Sequence, residues 1–245
     1  MTTTRVNLIS GPRNISTALM YAFRSRSDTT VVDEPLYAHY LTAHPEVAHP
    51  GRDETLASMS ADPETIVRDV LLGDHPTPVV FFKNMGHHVG RVGMDLSWLD
   101  SVTNVFLIRE PEAMLMSFVE NVADPTPEMT GMPQQIELLS RILAAGGKPI
   151  VLESSQILLD PEGVLTALCV RIGLPWDAAM LSWERGPKPE DGVWAKYWYG
   201  RLHETTGFEP FKRKGDRVPE RLRPTLAVLH DCYDQLRPYA IEAQL

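Results

Sequence analysis

Residues 6–20 read VNLISGPRNISTALM. A short β-rich run, Val6 to Ile9, passes through Gly11-Pro12 directly into a stretch where Ile15, Leu19, Ala22 and Phe23 recur at helical spacing. In open α/β sheets ligands bind where loops leave the carboxyl ends of strands, and a helix that starts there presents free N–H groups. Gly11 permits a tight turn, Arg13 can meet a phosphate oxygen, and Ser16 and Thr17 place two hydroxyls in the first turn. The pattern favours an anion. A Walker-type loop would read GxxxxGK[ST], and its lysine is missing here, which speaks against phosphoryl transfer from ATP. The alternative is that Asn14, Ser16 and Thr17 merely cap a helix.

Outward from this unit, four more β-rich runs alternate with helical patterns: Thr30 to Val32, Val79 to Phe82, Val105 to Ile108 and Ile150 to Leu152. The alternation predicts a single three-layer α/β/α domain over residues 1–245, with a central, mostly parallel five-stranded sheet. A later helix is expected to bury Ile136, Leu139, Ile142 and Leu143. Asp160-Pro161-Glu162 supplies an N-cap, an N1 proline and an acidic first turn, and Gly173 fits the other end of that helix. Residues 42–78 are polar and proline-rich, with one helical stretch around Ile66 to Leu72, and read as an excursion above the sheet. Residues 194–211 are crowded with aromatics and could form a lid. A last helical pattern runs from Pro219 to Leu236.

Of 245 residues, 43% are hydrophobic and 22% charged, the range of one globular domain with a full core. The net charge of -9 argues against a general nucleic-acid or anionic-membrane surface, so an anionic ligand needs a local basic pocket. The N-terminal MTTTRVNLIS lacks a long apolar region and no run approaches a membrane span, so a cytoplasmic location without membrane or nucleic-acid partners is expected. Cys169 and Cys232 each sit in a helical apolar pattern and read as buried free thiols in a reducing compartment. No histidine pair has the spacing of a zinc site, so no metal is expected.

Three basic signatures carry a family resemblance. Pro12-Arg13-Asn14-Ile15-Ser16-Thr17 resembles the 5′-phosphosulfate loop of the sulfotransferases, Pro-Lys/Arg-Ser-Gly-Ser/Thr-Thr, departing from it at Asn14 and Ile15. Ile15 stands where the family has a glycine that allows close backbone approach. Arg109 ends the fourth run and Ser117 follows eight residues later, roughly 9 Å along a helix from Pro111; the pair resembles the family's 3′-phosphate motif. Taken alone, an arginine at a strand end is more often a surface ion pair. Lys212-Arg213-Lys214-Gly215 would ordinarily be a solvated charge run, but it resembles the Arg-Lys-Gly loop that closes over the same phosphate. LLDPEGVLTALCVRIGLPWD and YGRLHETTGFEPF resemble further segments of the family. Around Glu153 to Ser155 there is no tyrosine of the sort that packs near adenine in many members.

The resemblance implies a sheet of the P-loop nucleotide-binding type and a sulfotransferase using 3′-phosphoadenosine 5′-phosphosulfate (PAPS) and releasing PAP, with a small-molecule hydroxyl or amine acceptor. Arg13, Asn14, Ser16, Thr17, Arg109, Ser117, Arg213, Lys214 and Gly215 would bind the donor. Lys83, after the third run, is implied to stabilise the bridging or sulfuryl oxygen. The base is either Glu34, placed like the glutamate of bacterial-type members, or His88, near the position where other members carry a histidine. Asp33 and Glu34 could instead cap the following turn, and His88 could hydrogen-bond within the core. An ATP-dependent kinase and a non-catalytic nucleotide-binding module are the competing functions. The acceptor and the oligomeric state are not legible.

Overall fold

A computed structural model describes residues 3–47, 49–90, 93–212 and 217–244. Its centre is a five-stranded sheet in the order β2-β3-β1-β4-β5, parallel throughout: β1 Thr4–Ser10, β2 Thr29–Asp33, β3 Val79–Met85, β4 Thr103–Ile108 and β5 Ile150–Glu153. All five predicted runs form strands, each longer by one to three residues than its apolar core. A sheet buried on both faces needs apolar residues at successive positions, which these runs supply.

Alternate residues feed two cores. Val6, Leu8, Val31, Phe81, Val105 and Leu107 face α1 (Ser16–Arg24), with α7 (Ser154–Leu159) and α8 (Pro161–Arg171) completing that layer. Phe23 of α1 stacks on Phe81 at 4.1 Å between ring centroids. Ile9, Val80, Phe82, Phe106 and Ile108 face the opposite layer of α5 (Pro111–Phe118), α6 (Met132–Ala144) and α11 (Arg223–Leu236). Across this second face a ladder of amides, buried at Asn7 and Asn84 and half-buried at Asn104, joins three strands: Asn84 Nδ2 donates to Asn7 Oδ1 at 2.8 Å, and Asn7 Nδ2 to Asn104 Oδ1 at 2.8 Å. A slip in register would strand these groups, so the ladder fixes the pairing.

Asp160 caps α8 as expected, accepting from Gly163 N–H at 2.9 Å, and Gly173 beyond it has φ 72°. The α6 expectation holds in part: Leu139 is buried and Ile136 and Ile142 pack half-buried on the second core, but Leu143 is 42% exposed, and Met132, Gln134, Gln135 and Leu138 are buried as well. Between β2 and β3 lie α2 (Tyr37–Ala43), α3 (Arg52–Ser58) and α4 (Pro63–Thr65), the last running into a π-helical turn over Ile66–Leu71. Tyr37, Tyr40 and Leu41 of α2 pack against Trp194, Ala195 and Tyr199 around α9 (Ala195–Trp198) and α10 (Gly200–His203). The excursion and the aromatic segment thus meet over the carboxyl edge of the sheet. Cys169 and Cys232 are buried and unbridged, and burial raises both thiol pKa values. Among the described residues no helix is long and apolar enough to cross a membrane.

Candidate active site

After β1 the chain enters α1 on one face of the sheet; after β4 it enters α5 on the other, and a crevice opens between the two strand ends. The Pro12–Thr17 loop lines it. Arg13 and Ile15 both have left-handed backbone, φ 63° and 62°, with Asn14 between them at negative φ. Alternation of this kind turns successive N–H groups toward one concavity, a nest for an anion. No side chain caps α1, so the capping reading of Asn14, Ser16 and Thr17 does not hold. Asn14 instead donates through Nδ2 to the Leu107 carbonyl at 3.2 Å, tying the loop to β4. Gly11 is needed for close approach rather than for a turn: a Cβ there would stand 2.7 Å from the Thr130 carbonyl oxygen.

The second signature meets the first. Arg13 Nε donates to Ser117 Oγ at 3.1 Å, and Arg109 Nη1 donates to the Arg13 carbonyl at 2.6 Å. Among the described residues Arg109 is in no ion pair with an acid; its guanidinium holds a backbone carbonyl instead. Burial, then the neighbouring Arg13, lowers the Arg109 pKa. Arg213, Lys214 and Gly215 lie outside the described residues; Lys212 reaches the wall of the same cavity.

Next to this basic region sits a buried charge cluster. Lys83 Nζ donates to Asp33 Oδ1 and Glu34 Oε1, both at 2.7 Å, and to the Tyr199 hydroxyl. Its side chain is 1% exposed. Asp33 opposes Lys83 directly in the β2–β3 register, and Glu34, one residue beyond β2, turns left-handed at φ 46° so that its carboxylate swings back to the same ammonium. Neither acid caps α2, so the capping alternative falls here as well. Burial lowers the Lys83 pKa, but Asp33 and Glu34 outweigh it and hold the ammonium up at about 12. Burial lifts the Glu34 carboxyl, Lys83 pulls it back and Asp33 lifts it again, leaving it above the ordinary glutamate range. The cluster has two carboxylates for one cation, and that excess keeps a proton attractive to it.

His88 is buried with its Nδ1 3.6 Å from Glu34 Oε2, too far for a hydrogen bond, and neither ring nitrogen has a hydrogen-bond partner among the described residues. It is therefore not a histidine satisfied within the core. Burial, followed by His87 and His49, depresses its pKa well below the usual value and keeps the ring neutral. Its ring stacks on Tyr37 at 4.6 Å, and Tyr37 donates to or accepts from His49 Nδ1 at 2.7 Å. Trp194 closes edge-on against Tyr37 at 5.0 Å.

One cavity of about 860 Å³ is lined by the basic loop, the charge cluster and this aromatic wall together. It brings together Arg13, Asn14, Ser16, Thr17, Glu34, Lys83, His88, Arg109 and Ser117. Among the described residues no group of three or more His, Cys, Asp or Glu side chains is arranged to hold a metal ion. Glu153, at the end of β5, is spent on capping α7, accepting from Ser155 N–H at 2.8 Å and Gln156 N–H at 3.1 Å. Two members of the charge cluster are not singled out by the sequence: Asp33, read there as a possible cap, and Tyr199, one aromatic among those of residues 194–211. The period of β2 places Asp33 on the face of Val31, but only the register with β3 puts it against Lys83.

A profile of the sulfotransferase domain matches residues 4–223. The chain is 38% identical over 204 residues to branched-chain-amino-acid aminotransferase-like protein 1 of Arabidopsis thaliana, covering 83% of this chain but only 36% of that one. In three dimensions it is similar to the sulfotransferase domain of the Synechococcus PCC 7002 olefin synthase, with TM-score 0.53 at 15% identity over 94% and 95% of the two chains. It is likewise similar to a sulfotransferase from Alicyclobacillus acidocaldarius, with TM-score 0.54 at 11% identity over 97% and 96%. At those identities the structures speak for the fold alone; the domain match, spanning nearly the whole sequence, places this chain in the sulfotransferase domain family.

Proposed function

We propose that the protein transfers a sulfuryl group from PAPS to the hydroxyl or amine of a small molecule, with Glu34 as base. The observation that carries this reading is the single cavity in which an anion nest, two arginines, a buried lysine and a carboxyl of raised pKa share one wall. Such transfer asks the protein to align donor and acceptor, take the acceptor's proton and neutralise charge on the leaving phosphate.

Each part has a candidate. The first-turn N–H groups of α1 and Arg13 would hold the 5′-phosphosulfate, and Arg109 with Ser117 the 3′-phosphate, joined by Arg213 and Lys214. Lys83 would stabilise, through its positive charge, the bridging or sulfuryl oxygen on which negative charge grows. Glu34 would accept the proton, since its carboxyl lies in the cavity wall and binds a proton more readily than an ordinary glutamate. His88, held neutral beside Glu34, forms part of the acceptor wall with Tyr37 and Trp194. That wall is aromatic, and Lys83 is already matched by two acids, so acceptors without a carboxylate fit best.

Incubation with ³⁵S-labelled PAPS and fractionated metabolites should move label into a small-molecule product and release PAP. A chain that PAP fails to stabilise against heat, while ATP with Mg²⁺ does stabilise it, belongs to the kinase reading instead.

A further inference from the structure

The three protons of an ammonium allow three hydrogen bonds, and Lys83 spends all three inside the protein, on Asp33, Glu34 and Tyr199. The two acids are not equivalent. Asp33 is locked on every side: its Oδ2 also accepts from Tyr199 at 2.8 Å and from Gly192 N–H at 3.2 Å. Tyr199 in turn accepts from Trp194 Nε1 at 3.2 Å. The covering segment that carries it is pinned by Asp191, which accepts from Tyr21 of α1 at 2.7 Å and pairs with His203 at 3.0 Å. Glu34 is held by Lys83 through one oxygen and turns the other toward His88.

We propose that Asp33 and Tyr199 are positioning residues for the transfer: Tyr199 ties Asp33 to the covering segment, Asp33 fixes Lys83, and Lys83 presents Glu34 to the acceptor. This rests on the reading of Glu34 as base. In the step served, the acceptor's O–H or N–H proton passes to Glu34 Oε2 as the acceptor atom forms its bond to sulfur. The bond from sulfur to the bridging oxygen breaks, and its electron pair leaves on the phosphate oxygen facing Lys83. The charged and titratable groups around Glu34 are Asp33 of β2, Lys83 of β3, Tyr37 of α2, His88 after β3, and Tyr199 from the covering segment.

Two substitutions should push Glu34 in opposite directions. Asp33→Asn removes the competing anion, so Glu34 should give up its proton at lower pH. Tyr199→Phe removes a donor from an over-charged cluster, so Glu34 should hold its proton to higher pH. A merely structural role would let water in and move both variants toward the ordinary glutamate value. The experiment is a ¹³C NMR titration of protein labelled at glutamate Cδ, with the Glu34 signal identified by its loss in Glu34→Gln. Opposed shifts support the proposal. Shifts in the same direction, no shift in a folded variant, or a wild-type Glu34 that titrates as an ordinary glutamate would overturn it. If Asp33→Asn does not fold, Tyr199→Phe decides alone, a rise supporting the proposal and anything else defeating it. PAP release from PAPS, with water as acceptor, is followed separately, with about a tenfold loss of turnover and unchanged KM expected for Tyr199→Phe. Failure of wild type to release PAP counts against the sulfotransferase reading, whereas the NMR result counts only for or against the cluster.

Discussion

Replacing Arg13 with Ala tests the anion loop with little collateral damage, because the side chain is half-buried and its hydrogen bond goes to Ser117 alone among the described residues. The magnitude follows from linkage. PAP at about 100 times its dissociation constant stabilises the folded chain by about 2.7 kcal/mol. Charge-assisted hydrogen bonds are worth about 1.5–3 kcal/mol, so losing Arg13 weakens PAP roughly tenfold to a hundredfold. At the same PAP concentration the ligand then adds only about 0.4–1.4 kcal/mol. For a chain of 245 residues, 1 kcal/mol moves Tm by about 2–4 °C, so the PAP-induced rise should shrink from about 5–11 °C to about 1–6 °C. Differential scanning fluorimetry with and without PAP reads both numbers, and the ligand-free Tm of the variant controls for damage to the fold. A variant that keeps the full wild-type rise would show that Arg13 does not touch the donor and would refute the loop assignment.

Glu34→Gln should lower turnover about 10²–10⁴-fold while leaving the PAP-induced Tm rise intact, because the amide keeps the shape but cannot take a proton. A base must be deprotonated to act, so wild-type turnover should fall as pH drops through a Glu34 pKa lifted by burial and Asp33, at higher pH than an ordinary glutamate would give. His88→Asn should retain turnover; its inactivation beside an active Glu34→Gln would transfer the role of base to His88. Asn7→Leu should cost about 1–3 kcal/mol by leaving Asn84 Nδ2 unpaired in the core. Urea unfolding measures this, and a loss below about 1 kcal/mol would mean that the amide ladder does not hold the register.

How much of this could be read from residue order depends on the range of the interaction. The five strands were legible because burial on both faces writes itself into consecutive apolar residues, and the Asp160 cap because its partners lie within one turn. Arg13, Arg109 and Ser117 were legible as separate signals, each at the end of a strand or in the first turns of a helix; that Arg13 rather than Arg109 touches Ser117 was not. In α6 the burial of Gln134 and Gln135 and the exposure of Leu143 were not legible, because neighbours distant in sequence, and not the helix's own pattern, decide which positions are covered. Asp33 and Tyr199 stayed hidden for the same reason. An aspartate before a turn and a tyrosine in an aromatic cluster have ordinary local explanations, and 166 residues separate the two partners of their hydrogen bond.

The backbone itself marks where function constrains this fold. Among the described residues, three non-glycine residues have positive φ, namely Arg13, Ile15 and Glu34, and all three line the same cavity. A left-handed β-branched residue is strained by about 1–2 kcal/mol, so Ile15 must be braced. It is: its side chain packs on the core under α1, the Ser154 hydroxyl donates to the Asn14 carbonyl at 3.1 Å, and Arg109 grips the Arg13 carbonyl. The chain thus holds an isoleucine in a left-handed conformation by bracing it from three sides. Glu34 is strained for a different end. Continuing β2 in extended form would carry its carboxylate away from Lys83, whereas the left-handed turn returns it to within 2.7 Å while its own N–H still pairs with the Lys83 carbonyl at 2.8 Å. Strain persists only where surrounding structure over-determines it, and here it falls at the two points the transfer would need most, the anion cradle and the base.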